Sequence, residues 1–381
     1  MLLRYPATAL TGLALALSSG PQTAPTPKPG PSAAPTAPPT PTGADPSPAG
    51  DPLTRAIRAA RRGDLEEAAR LLEQVVAARP DDRQALLMLA EVTTQRALRL
   101  ERPASSSLWL EAAETMRRLA AAHTDLGPGE RLVLSSALYN EACARAVDGQ
   151  ARKALGALAE AIDADFDLVE LLETDPDLAS LRALPRFREL KTTAVRKARI
   201  RARERATRSL AGSEPYRFDF ELPDLGGKTV ASSDFKGKVA IVNIWGTWCP
   251  PCRRLVPRLV ELLEKEGKRG LAVVGIHYER VPAGEVNATV EAFVAKNKVP
   301  YPCLLGDDKT RGRIPRFDGF PTTLFLDRAG TVRLTVPGEL RPLDLEAVTT
   351  LLLDEGASQA VMPRESPAGR PVGPGTPLPM P

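Results

Sequence analysis

"GKVAIVNIWGTWCPPCRRLVPRLVELLEKEGK", Gly237–Lys268, is the stretch on which the fold of this chain turns. It opens with "GKVAIVNIW", a continuous apolar run of the length and β-branched content of a strand buried on both faces. It closes with "RLVPRLVELLEKEGK", where apolar residues recur at helical spacing among charges, an amphipathic helix. Between them "WGTWCPPC", Trp245–Cys252, places two of the four cysteines where a buried strand meets a helix. A zinc site needs four ligands, and Cys143, Cys303, His123 and His277 show no ligand spacing that completes one. A structural disulfide joins distant segments rather than residues two apart. At a helix N-terminus the free N–H groups and the dipole stabilise a thiolate, so the first cysteine becomes a nucleophile near neutral pH. The pair therefore reads as a redox dithiol with no other cofactor.

Outward from this stretch the period stays mixed. "YRFDFELPDLGGKTV" alternates before it. After it come strand "LAVVGIHYE", helix "VNATVEAFVAKNK", strands "PYPCLL", "TTLFLD" and "TVRLTV", and helix "LDLEAVTTLLLDE". Strands alternating with helices, then a hairpin at "DRAG", predict an α/β sheet with mixed strand directions over residues 215–357.

These residues resemble the thioredoxin superfamily, and within it the exported TlpA/ResA-like, AhpC/TSA-redoxin-type thiol–disulfide oxidoreductases. The resemblance rests on "FKGKVAIVNIWGTWCPPCR", the helix proline Pro257, "YPCLLGDD" and "GFPTTLFLDRAG". It implies that Cys249 is the attacking thiolate and Cys252 the resolving thiol, around Pro250 and Pro251. It implies a cis-proline at Pro321 that exposes the Phe320 backbone to a substrate strand. Trp245 and Trp248 are expected to shield the disulfide and supply apolar contact surface, and Pro257 to kink its helix without ending it. Three positions depart from the pattern. Leu255 stands where many relatives carry an acid, Asn243 where thioredoxin has a buried Asp, and Phe320 where a smaller or branched residue is usual. Proton transfer at Cys252 then falls to Glu279, His277 or water, with a hydrogen-bonded structural histidine as the plainer role for His277. Cys303 reads as buried and inert, with a third redox thiol as the alternative. The peroxidase pattern P-x-x-x-T-x-x-C is absent, since Val242 and Gly246 occupy its Pro and Thr positions.

Residues 51–195 are helical in pattern. In "ARRGDLEEAARLLEQVVAARPDDRQALLMLAE" a helix ends at Gly63, and the next carries Leu65, Ala68, Leu72 and Val75 on one face until Pro80. The layout returns in "ALYNEACARAVDGQARKALGALAEAIDADF", with Gly149 for Gly63 and Ala154 for Ala68. This resembles the tetratricopeptide repeat, with Phe166 where the family usually has Pro and a cap-like segment at 174–190. Such repeats imply a concave groove for a protein or peptide partner. Core packing is the expected role of Trp109, Tyr139 and Asn140, with groove lining as the alternative, and Cys143 reads as a buried thiol. The basic stretch "RKARIRARERATR" reads as a solvated helical connector over 196–214, with an acidic-surface patch as the alternative.

The ends are expected to lack a fold. Eleven prolines between Pro21 and Gly50, and the tail over 358–381, predict disordered or polyproline-like segments. Residues 1–20 carry Arg4 and then a short apolar run, an expected export signal, with an uncleaved anchor as the alternative. The 51 basic and 47 acidic residues nearly cancel, so nothing in the charge points to a nucleic-acid partner. The expected protein is multidomain: all-α tetratricopeptide-like repeats followed by an α/β thioredoxin fold. It is expected to be periplasmic or otherwise extracytoplasmic, exchanging disulfides or dithiols with client proteins and recharged by a transmembrane thiol donor. The alternative is an interaction scaffold or redox sensor whose thioredoxin domain is regulatory or vestigial.

Overall fold

The computed structural model describes residues 50–360. The expectations for the N-terminal signal or anchor and the proline-rich linker, and all but the start of that for the tail, lie outside the described residues. The chain divides into two compact units between Ala198 and Arg199.

The first unit is helical: α1 (Pro52–Arg61), α2 (Leu65–Ala78), α3 (Arg83–Arg99), α4 (Ala104–Ala122), α5 (Pro128–Val147) and α6 (Ala151–Asp163). Asp51, Asp64 and Asp82 each cap a helix by accepting from the backbone N–H three residues on. Gly63 and Gly149 turn the chain at φ 78° and 72°, a region only glycine enters freely. Ala68, Ala112, Ala113, Ala142 and Ala154 are buried, which lets helix backbones approach closely. Arg117 ties α4 to its neighbours through Glu141 and Glu160, each at 2.7 Å.

A long helix, α7 (Pro185–Ala211), spans the boundary between the units. The stretch expected as a separate connector over 196–214 belongs to this helix as far as Ala211 and is not solvated all round. Ala194, Ala198, Ala202 and Ala206 recur every fourth residue and are buried, with the arginines on the other faces.

The second unit contains β1 (Tyr216–Arg217), β2 (Glu221–Pro223), β3 (Thr229–Ala231), β4 (Val239–Trp245), β5 (Leu271–His277), β6 (Cys303–Leu305), β7 (Thr322–Leu326) and β8 (Thr331–Pro337). Six strands form one sheet in the order β1-β8-β7-β4-β5-β6, while β2 and β3 pair as a separate ribbon. β4 runs parallel to β5 and antiparallel to β7, so the sheet is mixed. Both β4 and β5 are buried along their whole length, which is why they read as unbroken apolar runs. Alternation sorts β4 onto two cores. Ala240, Val242 and Ile244 join Phe218, Phe220 and Leu324. Val239, Ile241 and Trp245 join residues of α8 (Pro250–Glu266), α9 (Val286–Lys296), α10 (Pro342–Ala360) and the end of α7. α10 continues to Ala360, past the point where the tail was expected to begin.

Candidate active site

At the end of β4 the chain turns through Gly246, Thr247 and Trp248 into α8, whose N-cap is Cys249. Pro250 and Pro251 occupy the first two helical positions, where a missing N–H costs nothing. The first N–H the helix can offer is that of Cys252, and it points at Cys249 Sγ at 3.3 Å. The next, from Arg253, bonds the Cys249 carbonyl at 3.1 Å. The two sulfurs are joined, with S–S 2.10 Å and the Cα atoms 5.2 Å apart. Cys249 is 3% exposed and Cys252 wholly buried, so of the two residues only the first meets the surface.

The loop before Cys249 is held from the strand end beside it. Glu279 accepts from the Thr247 N–H at 2.9 Å and its hydroxyl at 2.6 Å, and the Trp248 indole N–H donates to the Tyr278 carbonyl at 2.8 Å. A Cβ on Gly246 would stand 2.5 Å from the Trp248 indole nitrogen and 2.6 Å from that carbonyl, so this approach requires glycine. Both Glu279 oxygens accept from Thr247, so this carboxylate, one of three expected proton carriers alongside His277 and water, also holds the loop. Thr247, Tyr278 and Arg280 escaped sequence reasoning because their roles come from the juxtaposition of two loops.

An aromatic rim stands at the half-buried Trp248. Phe320 meets it edge to face with ring centres 5.4 Å apart, and Tyr278 and Phe317 pack on Phe320 at 5.7 and 5.3 Å. The Arg280 guanidinium lies 3.4 Å from the Trp248 ring centre, a cation–π contact. The Phe320–Pro321 peptide is cis, and Pro321 is buried at the start of β7.

Trp245 is not part of this rim. At 1% exposure it cannot supply contact surface, which corrects the expectation for it: its ring lies in the core, 5.1 Å from Phe293. Gly275 makes room for it, because a Cβ there would stand 2.7 Å from the Trp245 indole nitrogen. His277, its register partner on β5, is fully buried, and burial pushes its imidazole down to about 4. Neither ring nitrogen of His277 has a hydrogen-bond partner among the described residues, so the hydrogen-bonded histidine expected here is not found. Asn243 and Thr323, paired in register between β4 and β7, are likewise buried with unpartnered side-chain polar atoms. Leu255 is buried in the apolar core beside the cysteines, with no carboxylate in its place. Cys303 is a buried free thiol, pushed up to about 12 by burial. Among the described residues, the cluster of metal-ligating side chains is Cys143, Asp175 and Asp177 of the first unit.

A model of the AhpC/TSA family matches residues 217–335, within the second unit. The chain is similar to the thiol-disulfide oxidoreductase ResA of Bacillus thuringiensis subsp. konkukian (strain 97-27), at 33% identity over 132 residues, 34% of this chain and 71% of that protein. It is similar to the thioredoxin-like protein YneN of Bacillus subtilis (strain 168), at 33% identity over 128 residues, 34% of this chain and 73% of that protein. Among solved structures, a thiol:disulfide interchange protein of the thioredoxin family from Chlorobium tepidum TLS is 26% identical, with a TM-score of 0.33. The match covers 37% of this chain and 98% of that one.

Proposed function

Since the chain belongs to the family of ResA-type thiol–disulfide oxidoreductases with an AhpC/TSA thioredoxin-like domain, and is an oxidoreductase of that class, we propose that Cys249 and Cys252 exchange disulfides with client proteins, chiefly in the reducing direction. In that direction the Cys249 thiolate attacks a client disulfide. A Cys249–client bond forms, and the displaced client sulfur takes up a proton. Cys252 then attacks Cys249, the intramolecular disulfide closes, and the client leaves as a dithiol, two electrons having passed to it. The observation that carries this reading is the placement of Cys249 Sγ at a helix N-terminus, under the Cys252 N–H, on the one residue of the pair that meets the surface.

The other residues take supporting roles. Phe320, ahead of Pro321, offers its backbone to an extended client segment, and Trp248 and Phe320 supply the apolar surface beside the sulfurs. Pro250 and Pro251 restrict the helix donors to the Cys252 N–H. Glu279 positions the loop, and Trp245 and His277 support the motif from below. With no carboxylate at Leu255 or Asn243, the proton that Cys252 gives up as it attacks Cys249 passes through solvent to the departing client sulfur.

The helical unit is assigned to docking clients or partners, as a tetratricopeptide-like domain over 51–195. The paired helices α1–α2 and α5–α6, turned at Gly63 and Gly149 with buried Ala68 and Ala154, support that assignment. The thioredoxin-like domain is proposed over 215–357, with the end of α7 completing its core. Export by the 1–20 segment, an extracytoplasmic location and a transmembrane thiol donor complete the reading, since a reductant outside the cytosol needs electrons from within.

The test is a redox titration followed by tryptophan fluorescence. A potential at or below about −250 mV makes the protein a thioredoxin-type reductant, and one near −120 mV an oxidant. Cys249→Ser should abolish exchange, while Cys252→Ser should accumulate mixed disulfides on a non-reducing gel. Exchange by the Cys249→Ser protein at wild-type rate sinks the assignment.

A further inference from the structure

The first unit encloses a cavity of about 370 Å³, the size of a small-ligand pocket, among α3, α4, α5 and the turn at 175–177. None of the chemistry above uses it. Its walls combine aromatic rings with carboxylates. Tyr139 and Phe166 stack there at 4.5 Å, both nearly fully buried, and Trp109 is half-buried at its side. Core packing, expected for Trp109, Tyr139 and Asn140, describes the tyrosine alone.

The charges lining the cavity do not balance. Glu91, Glu101, Asp175 and Asp177 face only Arg99 and Arg102. Arg102 is engaged with Asp177 at 2.5 Å, and Arg99 donates to the Gly63 carbonyl at 3.2 Å. Among the described residues the Asp175 carboxylate has only neutral donors: the Tyr139 hydroxyl at 2.8 Å, the Asp177 N–H at 3.0 Å and the Cys143 thiol at 3.7 Å. Glu91 has no hydrogen bond or ion pair to a described residue, and burial alone pushes its carboxyl up to about 7. An anion would add to this excess of negative charge, and an apolar guest would leave Glu91 and Asp175 without a counterion. A cation answers both, and aromatic walls attract it further.

We propose that this cavity binds an organic cation, an ammonium or guanidinium group, seated by Trp109 and Tyr139 and paired with Glu91 and Asp175. Arg102 Nη1, buried and without a partner, is left as a donor to a carbonyl on the same guest. The cation is either a free amine or the side chain of a lysine or arginine in a partner protein. The inference is independent of disulfide exchange.

Calorimetric titration of the full chain tests it, with the Cys249→Ser chain giving the same result if the two functions are separate. The probes are 1,5-diaminopentane, N-acetyl-lysine methylamide, a lysine-containing peptide, and the uncharged isostere N-acetyl-norleucine methylamide. The lysine probe should bind at least about tenfold more tightly than the norleucine one, and Trp109→Leu should weaken it about fivefold. Glu91→Gln should cost about tenfold; it deletes no bond within the described residues, so the chain should still fold. Asp175→Asn is the weaker variant, because Asp175 also caps the turn at Asp177.

Affinity should rise as pH goes from 6 to 8 while Glu91 loses its proton, and this rise should vanish in Glu91→Gln. Asp177, also raised by burial, lines the same space, as do Glu101, Arg99 and Arg102, while burial keeps Tyr139 and Cys143 protonated throughout. Tighter binding of the diamine identifies a small-molecule source, and tighter binding of the peptide a protein one. Equal binding of the norleucine probe, unchanged affinity in Glu91→Gln, or no saturable binding of any probe overturns the proposal.

Discussion

Cys249 and Cys252 differ by a few per cent in exposure, and that difference supports the order of action proposed for them. Beneath them His277 sets a pH dependence. Its folded value of about 4 lies below the ordinary 6.5, so the unfolded chain binds the proton first. The stability that neutral His277 contributes is complete above about pH 6.5 and is lost as pH falls toward 4. At ~1.4 kcal/mol per unit, the full loss is roughly 3.5 kcal/mol. Urea melts at pH 4.5 and 7 should therefore show a smaller pH difference for His277→Leu than for the wild type. An equal difference in the two proteins would mean that the histidine reaches solvent without unfolding. His277 was legible as a residue near the active face, but its isolation was not. That isolation depends on Trp245 and the neighbouring strands, which lie tens of residues away along the chain.

In the proposed chemistry the N-terminus of α8 is the element that tunes the sulfur. Pro250 and Pro251 remove two donors that other helices would present there, leaving the Cys252 N–H. Pro251→Ala returns one donor to the first turn and should stabilise the reduced thiolate. The reduction potential should then rise by about 20–30 mV, since 30 mV corresponds to ~1.4 kcal/mol for a two-electron couple. A fall in potential would mean that the added N–H is spent on solvent or on the fold. This feature was readable from the sequence, because caps and first-turn prolines act within four residues. The face of α7 was harder to read. Its arginines dominate the pattern, yet its alanines at 194, 198, 202 and 206 are what is buried. A stripe of small residues carries little hydropathy, so it is faint beside a run of charge.

At the scale of the whole molecule, every side chain of the proposed active site belongs to the second unit, and the family match is confined to it. A fragment from Pro185 to Ala360 should exchange a small model disulfide within about twofold of the full chain, because it retains all of α7 and the groups around the sulfurs. A fragment starting at Gly212 loses Ala206 and Leu210 from the core, and with them the Arg205–Asp344 ion pair at 2.7 Å. It should be less stable by about 2–3 kcal/mol, from the apolar burial of those side chains. Thermal melts of the two fragments check this, and equal melting temperatures would show that α7 contributes nothing to the second unit.

By itself the sequence determined what is local: the strand-to-helix junction that carries the cysteines, the α/β order of the second unit and the helical character of the first. Periodicity, caps and turns are short-range, so they are written within one or two turns of chain. Only the tertiary structure decided that Trp245 lies beneath the site rather than at its rim and that Glu279 is held by Thr247. It alone brought Glu91, Trp109, Tyr139 and Asp175 around one cavity. Those outcomes depend on which distant side chains fill the space beside each residue, and spacing along the chain carries no record of that.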